Sequence, residues 1–92
     1  MVVKEKRGRR RYILFRMSFP SRDKGSFISF IHQAAMSEGR PAPYVIQVRE
    51  NLVILRCSPA EREDLISFMG RLGGESLLCS GTLRKLRRSH GL

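Results

Sequence analysis

The residue types best suited to chemistry lie together in residues 80–88, where a Ser-Gly-Thr triplet precedes a run rich in arginine. Gly81 permits a sharp turn, Thr82 suits a helix cap, and the first N–H groups of a helix starting there could bind an anion. Cations in a first turn oppose the helix dipole, so Arg84 and Lys85 are easier to explain beside a bound phosphate. The pattern predicts an anion site; an ordinary amphipathic terminal helix is the alternative.

Basic residues are concentrated at the two ends of the 92-residue chain. Residues 1–11 hold six basic groups and one acid, residues 84–92 hold four basic groups and no acid, and residues 12–83 are nearly neutral. A net charge of +10 at pH 7 is typical of a protein that binds nucleic acid or an anionic membrane. Ends on one side of the fold would form a single basic patch; the alternative is that they only increase solubility.

The sequence does not indicate a metal site or a catalytic constellation. Cys57 and Cys79 lack C-x-x-C spacing and are interpreted as small core residues. Of the two histidines, His32 falls in a predicted helix and His90 in the terminal tail, and Asn51 is explained by a turn. The chain by itself is therefore not expected to be an enzyme, and no cofactor is expected on it.

No apolar run approaches the ~18–20 residues that a membrane-spanning helix needs. The basic N-terminus is followed by a charged, alternating segment and not by the apolar core of a signal peptide. The prediction is a cytoplasmic protein without membrane contact.

Three segments rich in β-branched and aromatic residues predict strands at residues 12–17, 44–49 and 52–57, and residues 76–79 predict a shorter fourth strand. The two-residue link between the second and third strands predicts an antiparallel hairpin. Successive side chains of a strand point to opposite faces of the sheet, which places one group of polar side chains on a single face. Its members are Arg16, Gln47, Arg49 and Arg56.

Two helices are predicted between the strands, and a last short helix is predicted after Thr82. The first has a wide apolar stripe formed by Phe27, Ile28, Phe30, Ile31, Ala34 and Ala35. Gly39 is expected to end it. The second begins with a capping box from Ser58 to Glu61, ends at Gly73, and has its own stripe. The members of that stripe are Leu65, Ile66, Met69 and Leu72.

The order β-α-β-β-α-β predicts an α+β, ferredoxin-like (RRM-like) fold, with a four-stranded antiparallel sheet, helices on one face and a short basic C-terminal helix. Residues 1–10 are expected to form a basic arm, disordered without RNA; residues 11–80 form the ferredoxin-like domain, and residues 81–92 the basic helix and tail. This layout leaves the other sheet face available. Because the third strand lacks aromatic residues, phosphate and shape recognition is favoured over base readout, and Tyr12 is interpreted as a half-buried sheet residue.

Three segments carry a family resemblance: the basic residues leading into Arg11-Tyr12-Ile13-Leu14-Phe15, the Val53-Ile54-Leu55-Arg56-Cys57 strand, and the closing Ser80-Gly81-Thr82-Leu83-Arg84-Lys85-Leu86-Arg87-Arg88. Over about residues 10–88 the sequence resembles ribonuclease P protein component 2, the Pop-five type subunit of archaeal and eukaryotic ribonuclease P. Its Ser-Gly-Thr-x-basic-basic segment is the distinctive part. Residues 18–43 have room for one helix where relatives often have two.

The resemblance implies a ferredoxin-like protein that braces the catalytic region of ribonuclease P RNA, which removes the 5′ leader from precursor tRNA. It implies that magnesium ions are held by the RNA, that the chain has no catalytic or metal-binding residue, and that it pairs with the TIM-barrel-like component 3 beside other subunits. The RNA contacts that it implies are Arg9, Arg10, Arg11, Ser80, Gly81, Thr82, Arg84, Lys85, Arg87 and Arg88.

Two other binding functions fit the composition equally well. One is a general or ribosome-associated RNA-binding protein of ferredoxin-like fold with no role in tRNA processing; the other is a DNA-compacting protein. Residues 80–88 and the matches upstream of them favour ribonuclease P over the first. A protein that binds phosphates alone should tolerate duplex DNA and lose affinity steeply with salt, which would distinguish the second.

Overall fold

Four strands and three helices follow one another in the order that the sequence predicts. The computed structural model describes residues 10–21 and 23–90 of the chain; the rest of the predicted N-terminal arm, residues 1–9, lies outside them. The elements are β1 (Arg11–Met17), α1 (Lys24–Ser37), β2 (Tyr44–Arg49), β3 (Leu52–Cys57), α2 (Arg62–Arg71), β4 (Gly74–Ser80) and α3 (Leu83–His90). A 3-10 turn, Pro59–Glu61, leads into α2.

The strands form one antiparallel sheet in the order β2-β3-β1-β4, so β1 and β3 are central and β2 and β4 are edges. The predicted hairpin of β2 and β3 is confirmed, with Glu50 in the left-handed region at φ 56°. β4 is longer than predicted, because Gly74 and Glu75 continue the pairing with Met17 and Arg16.

Helices α1 and α2 pack on one face of the sheet, which we call the inner face. Their side chains enclose a core with those of β1 and β3, and each large apolar side chain buried there stabilises the fold by about 1.5–3 kcal/mol. The largest fully buried members are Phe15, Phe27, Phe68, Ile13, Met17, Ile31, Leu55 and Met69. Cys57 and Cys79 are half-buried at the rim of this core. The pKa of the Cys57 thiol is raised, mainly because burial disfavours the thiolate.

The predicted helix stripes are only partly right. In α1 the core takes Phe27, Ile31 and Ala35, whereas Ile28 is 42% exposed and Phe30 is 38% exposed. A helix lying on a sheet buries a narrow i, i+4 stripe, so residues beside that stripe remain at the surface. In α2 the prediction missed Phe68, which is fully buried.

The helix boundaries follow from local hydrogen bonds. Asp23 Oδ1 accepts the N–H of Ser26 at 2.7 Å and starts α1, and Gly39, at φ 67°, follows the end of that helix as predicted. The Ser58 N–H donates to Glu61 Oε1 at 3.2 Å, the contact expected of the capping box. The turn it closes is a 3-10 turn, so α2 begins at Arg62.

The opposite, outer face of the sheet, which the sequence predicts to be open, is partly covered by α3. Leu14 and Ile54 lie on this face, and both are fully buried because Leu86 of α3 packs against them. The predicted short C-terminal helix is therefore confirmed; it extends to His90, and its packing on the outer face was not predicted. The predicted outward position of Arg16, Gln47, Arg49 and Arg56 is confirmed by the register of the strands.

A β-bulge in β2 sets which of its residues face outward. Val45 pairs with Leu55 and Gln47 pairs with Ile54, so Ile46 is an extra residue in the strand. The bulge allows Val45 to enter the inner core while Tyr44 projects from the outer face opposite Arg56.

Candidate nucleic-acid interface

Helix α3 crosses the outer face from one sheet edge to the other. It follows the edge strand β4, and its Arg87 Nε donates to Oε1 of Gln47 on the opposite edge strand at 2.9 Å. Its eight residues span about 12 Å, close to the ~14 Å between the edge strands of a four-stranded sheet. Leu83, half-buried, and Leu86, fully buried, hold it against the sheet.

The cations of α3 face solvent along this crossing. Arg84, Lys85, Arg87 and Arg88 are all exposed. Arg87 bonds to the neutral Gln47, and within residues 10–21 and 23–90 the other three have no carboxylate within ion-pair distance. Uncompensated charge on a helix held in place by packing is suited to neutralising phosphates without first breaking internal ion pairs.

The turn before α3 brings together residues from both ends of the chain. The Thr82 N–H donates to Ser80 Oγ at 3.1 Å, and Thr82 directly precedes the helix, where a capping residue is expected. A Cβ atom at position 81 would lie 3.2 Å from Nη1 of Arg11. Because Gly81 has no side chain, the Arg11 guanidinium can lie against the turn. Arg11, the last residue of the N-terminal basic segment, therefore lies beside the turn that leads into the C-terminal one.

Beside α3 the outer face carries a row of polar and aromatic side chains, one from each strand, which we call the tyrosine row. Tyr44 pairs with Arg56, Arg56 pairs with Tyr12, and Tyr12 pairs with Ser80. The Arg56 guanidinium carbon lies 3.9 Å from the centroid of the Tyr44 ring, a cation–π contact. Tyr44 is 57% exposed, and Tyr12 is half-buried as predicted.

An open groove of about 690 Å³ adjoins the tyrosine row at Tyr44 and Arg56. Arg10 lines it and is exposed, which places this predicted RNA contact next to the row. The far wall of the groove carries acids of the inner side, among them Glu38 and Asp64.

These acids are compensated by cations of the helical side. Glu38 accepts two hydrogen bonds from Arg71, at 2.7 and 3.0 Å, and Asp64 is bound by Arg40. The pKa of Glu38 is lowered, mainly by its hydrogen bond from Arg71. Burial acts in the opposite direction, and the charges of Arg71 and Arg40 lower the pKa further. The Arg40 guanidinium also covers the Phe68 ring, 4.6 Å from its centroid.

Most of the predicted RNA contacts thus lie in two neighbouring groups, although the register places Arg11 beside Cys57 on the inner-face side of β1. Arg10, Arg11, Ser80, Gly81 and Thr82 surround the turn and the end of β1, and the four α3 cations extend from there toward β2. Arg9 lies outside the described residues.

The tyrosine row is not evident from the sequence as a site. Strand alternation places Arg56 on this face but gives it no role, and it gives Tyr44 no part in a site. The available signal was the position of Tyr44, one residue after a Pro-rich link and at the start of an edge strand; the β-bulge that turns it outward leaves no plain mark in the sequence.

The residues that the structure describes form no metal-binding cluster. They include no group of three or more His, Cys, Asp or Glu side chains that could hold a metal ion, and His32 is exposed on α1. Within the same residues, no helix combines the length and the apolar character needed to cross a membrane.

Comparison of the chain with protein-family models, with curated proteins and with solved structures finds no match.

Proposed function

We propose that this chain is an RNA-binding protein subunit of ribonuclease P, and that its outer side contacts the catalytic RNA. One observation carries the proposal: α3 presents Arg84, Lys85 and Arg88 on the outer face without acidic partners in the described part of the chain, and Arg11 lies against the turn that precedes this helix. Residues 80–88 resemble the closing segment of ribonuclease P protein component 2, and for this reason we assign the proposed RNA-binding surface to that particle.

The proposal includes a ferredoxin-like fold. The order β-α-β-β-α-β, the strand order β2-β3-β1-β4 and the packing of α1 and α2 on the same face support it. Helix α3 is then an addition that covers the middle of the face opposite those helices.

In the proposed role the protein contributes no reacting group. Its cations neutralise phosphates of the RNA and release their counterions, which favours a folded arrangement of RNA strands that otherwise repel one another. The magnesium ions that the chemistry requires would be held by the RNA, and component 3 with the other subunits would complete the cytoplasmic particle.

A gentle pull-down of the tagged full-length chain from extract of its own cells tests the proposal. We expect one dominant structured RNA to co-purify, and the eluate to remove the 5′ leader from a precursor tRNA in a magnesium-dependent reaction. A variant with Gln at Arg84, Lys85, Arg87 and Arg88 should fold, with an unchanged circular dichroism spectrum, and recover little of this RNA.

Three outcomes would contradict the proposal. Recovery of broad ribosomal or messenger RNA without cleavage would support the general RNA-binding alternative. Equal affinity for duplex DNA, with a steep salt dependence, would support the DNA-compacting alternative. Unchanged RNA recovery by the four-cation variant would show that α3 is not the contact surface.

A further inference from the structure

We propose that the tyrosine row is a subsite for two consecutive unpaired nucleotides of single-stranded RNA. This inference rests on the proposed RNA-binding function and adds to it the class of RNA segment that the sheet takes. The α3 cations can bind phosphates of any strand, whereas the row offers the exposed Tyr44 ring and the part of the Tyr12 ring that its packing beside Leu14 leaves accessible. Only an unstacked base can contact a ring face.

The spacing of the two rings defines the conformation of the ligand. Tyr12 and Tyr44 are on strands separated by β3, so their backbones are about 10 Å apart, two spacings between neighbouring strands. Stacked bases in a strand are only about 3.4 Å apart. Two neighbouring bases can therefore occupy the two rings only after they separate from one another, which an unpaired strand allows and a duplex opposes.

Arg56 occupies the position between the two tyrosines in the row. A guanidinium can stack on a ring or a base and can donate hydrogen bonds to a phosphate in the same plane. Because Arg56 already contacts the Tyr44 ring, a base can stack on that guanidinium or replace it on the ring, and Arg56 then donates to the phosphate that joins the two nucleotides. The cation is held at the site before the ligand arrives.

Ser80, at the far end of the row, offers a hydroxyl group. Its oxygen accepts the Thr82 N–H, which orients it, and within the described residues no acceptor is bonded to its O–H. That O–H can donate to a ribose 2′-oxygen, a group present in RNA and absent in DNA.

The surroundings of the row suit a single strand. On one side, α3 covers the neighbouring row of Leu14 and Ile54; on the other, the groove near Arg10 is open. A strand leaving Tyr44 can enter that groove with its phosphates near Arg10. A rigid duplex would meet α3 before its bases could reach either ring.

Intrinsic fluorescence gives a direct test, since Tyr12 and Tyr44 are the only tyrosines of the chain and it has no tryptophan. We expect single-stranded hexauridylate to quench tyrosine emission saturably, by half or more. An RNA duplex at the same phosphate concentration should bind with little quenching, and hexadeoxyuridylate should bind more weakly than the RNA. Equal quenching by the duplex, or binding of hexauridylate without quenching, would overturn the inference.

Substitution separates stacking from charge. Tyr44→Leu should weaken hexauridylate binding about tenfold, within the range of one stacked base, and should leave duplex binding unchanged. Phe30→Leu is the matched control, because it removes a partly exposed ring on the inner side and should leave both affinities unchanged. Equal hexauridylate affinities of Tyr44→Leu and the wild type would contradict the subsite, even if the quenching were seen.

The two proposals fail separately. If the pull-down recovers the ribonuclease P RNA and cleavage activity while hexauridylate neither binds nor quenches, the subsite is wrong and the function stands. If hexauridylate binds as expected while the pull-down gives unrelated RNA, the assignment to ribonuclease P is wrong, and the row is a single-strand site of a general RNA-binding protein.

Discussion

The two faces of this sheet use the same residue types for different purposes. On the inner face, Arg40 and Arg71 are bound to carboxylates and lie over the Phe68 ring, so their charge is compensated within the fold. On the outer face, the cations of α3 project to solvent over a small apolar cluster of Leu14, Ile54 and Leu86. The difference teaches that the carboxylates within reach of a cation decide whether its charge is compensated inside the fold or stays available for a partner.

The largest expected effect comes from the inner face. Phe68→Ala removes a fully buried ring from the core and should lower the free energy of unfolding by roughly 3–5 kcal/mol, measured by urea denaturation. The folded fraction should retain its RNA affinity. A loss below 1 kcal/mol would break the comparison, because it would mean that the inner core does not dominate stability.

The corresponding change on the outer face should cost less. Leu86→Ala also removes a fully buried side chain, but α3 can detach while the rest of the sheet remains folded, so we expect about 2 kcal/mol, the low end for such substitutions. Amide hydrogen exchange in α3 should become fast while that in β1 stays slow. Equal acceleration in both would show that α3 and the inner core unfold together.

A charge-matched pair of double variants sharpens the comparison of the cations. Arg84→Gln with Arg88→Gln should weaken binding to transfer RNA about tenfold near physiological salt, and should reduce the slope of log affinity against log salt by about 0.7–0.9 for each lost phosphate contact. The control, Lys24→Gln with Arg71→Gln, removes the same charge from the helical side and should change affinity by less than about twofold, as expected for charges away from α3 that are screened by salt. Equal losses in both would mean that only net charge matters.

The smallest expected effect concerns pH. The pKa of Glu38 is lowered in the fold from its ordinary value of 4.5, so its ion pair with Arg71 stabilises the protein above that value and is lost as pH falls through the lowered pKa. Between pH 6 and pH 3, wild type should lose slightly more stability than Glu38→Gln in urea denaturation. Glu75→Gln on the outer face is the control and should follow wild type. If Glu38→Gln and the wild type showed the same pH dependence, the ion pair of Glu38 with Arg71 would not contribute to the free energy of unfolding.

Strong local signals made much of the fold predictable from sequence. The hairpin of β2 and β3, the capping contact of Glu61 with Ser58 and the alternation of Arg16 and Arg56 each depend on neighbouring residues, and each is confirmed. Burial was harder to predict, as Ile28 and Phe68 illustrate, because helical periodicity defines an apolar side but not the angle at which the helix meets the sheet.

The candidate site was predictable in its charges and not in its aromatic part. The basic ends and residues 80–88 are visible in the sequence, and strict alternation correctly directs Gln47 and Arg49 outward. The same alternation would turn Tyr44 inward, and only the extra residue at Ile46 reverses that. A bulge depends on how the whole strand fits the core, so the sequence of the strand alone does not disclose it.

The crossing of α3 over the sheet has a consequence for synthesis. Residues 83–90 follow every strand, so the ribosome can release all four strands while Leu14 and Ile54 are still uncovered. Until those eight residues emerge, the nascent domain presents an uncovered apolar strip, a surface of the kind that chaperones bind and that promotes aggregation. Completion of the outer face and completion of the basic surface are then the same event.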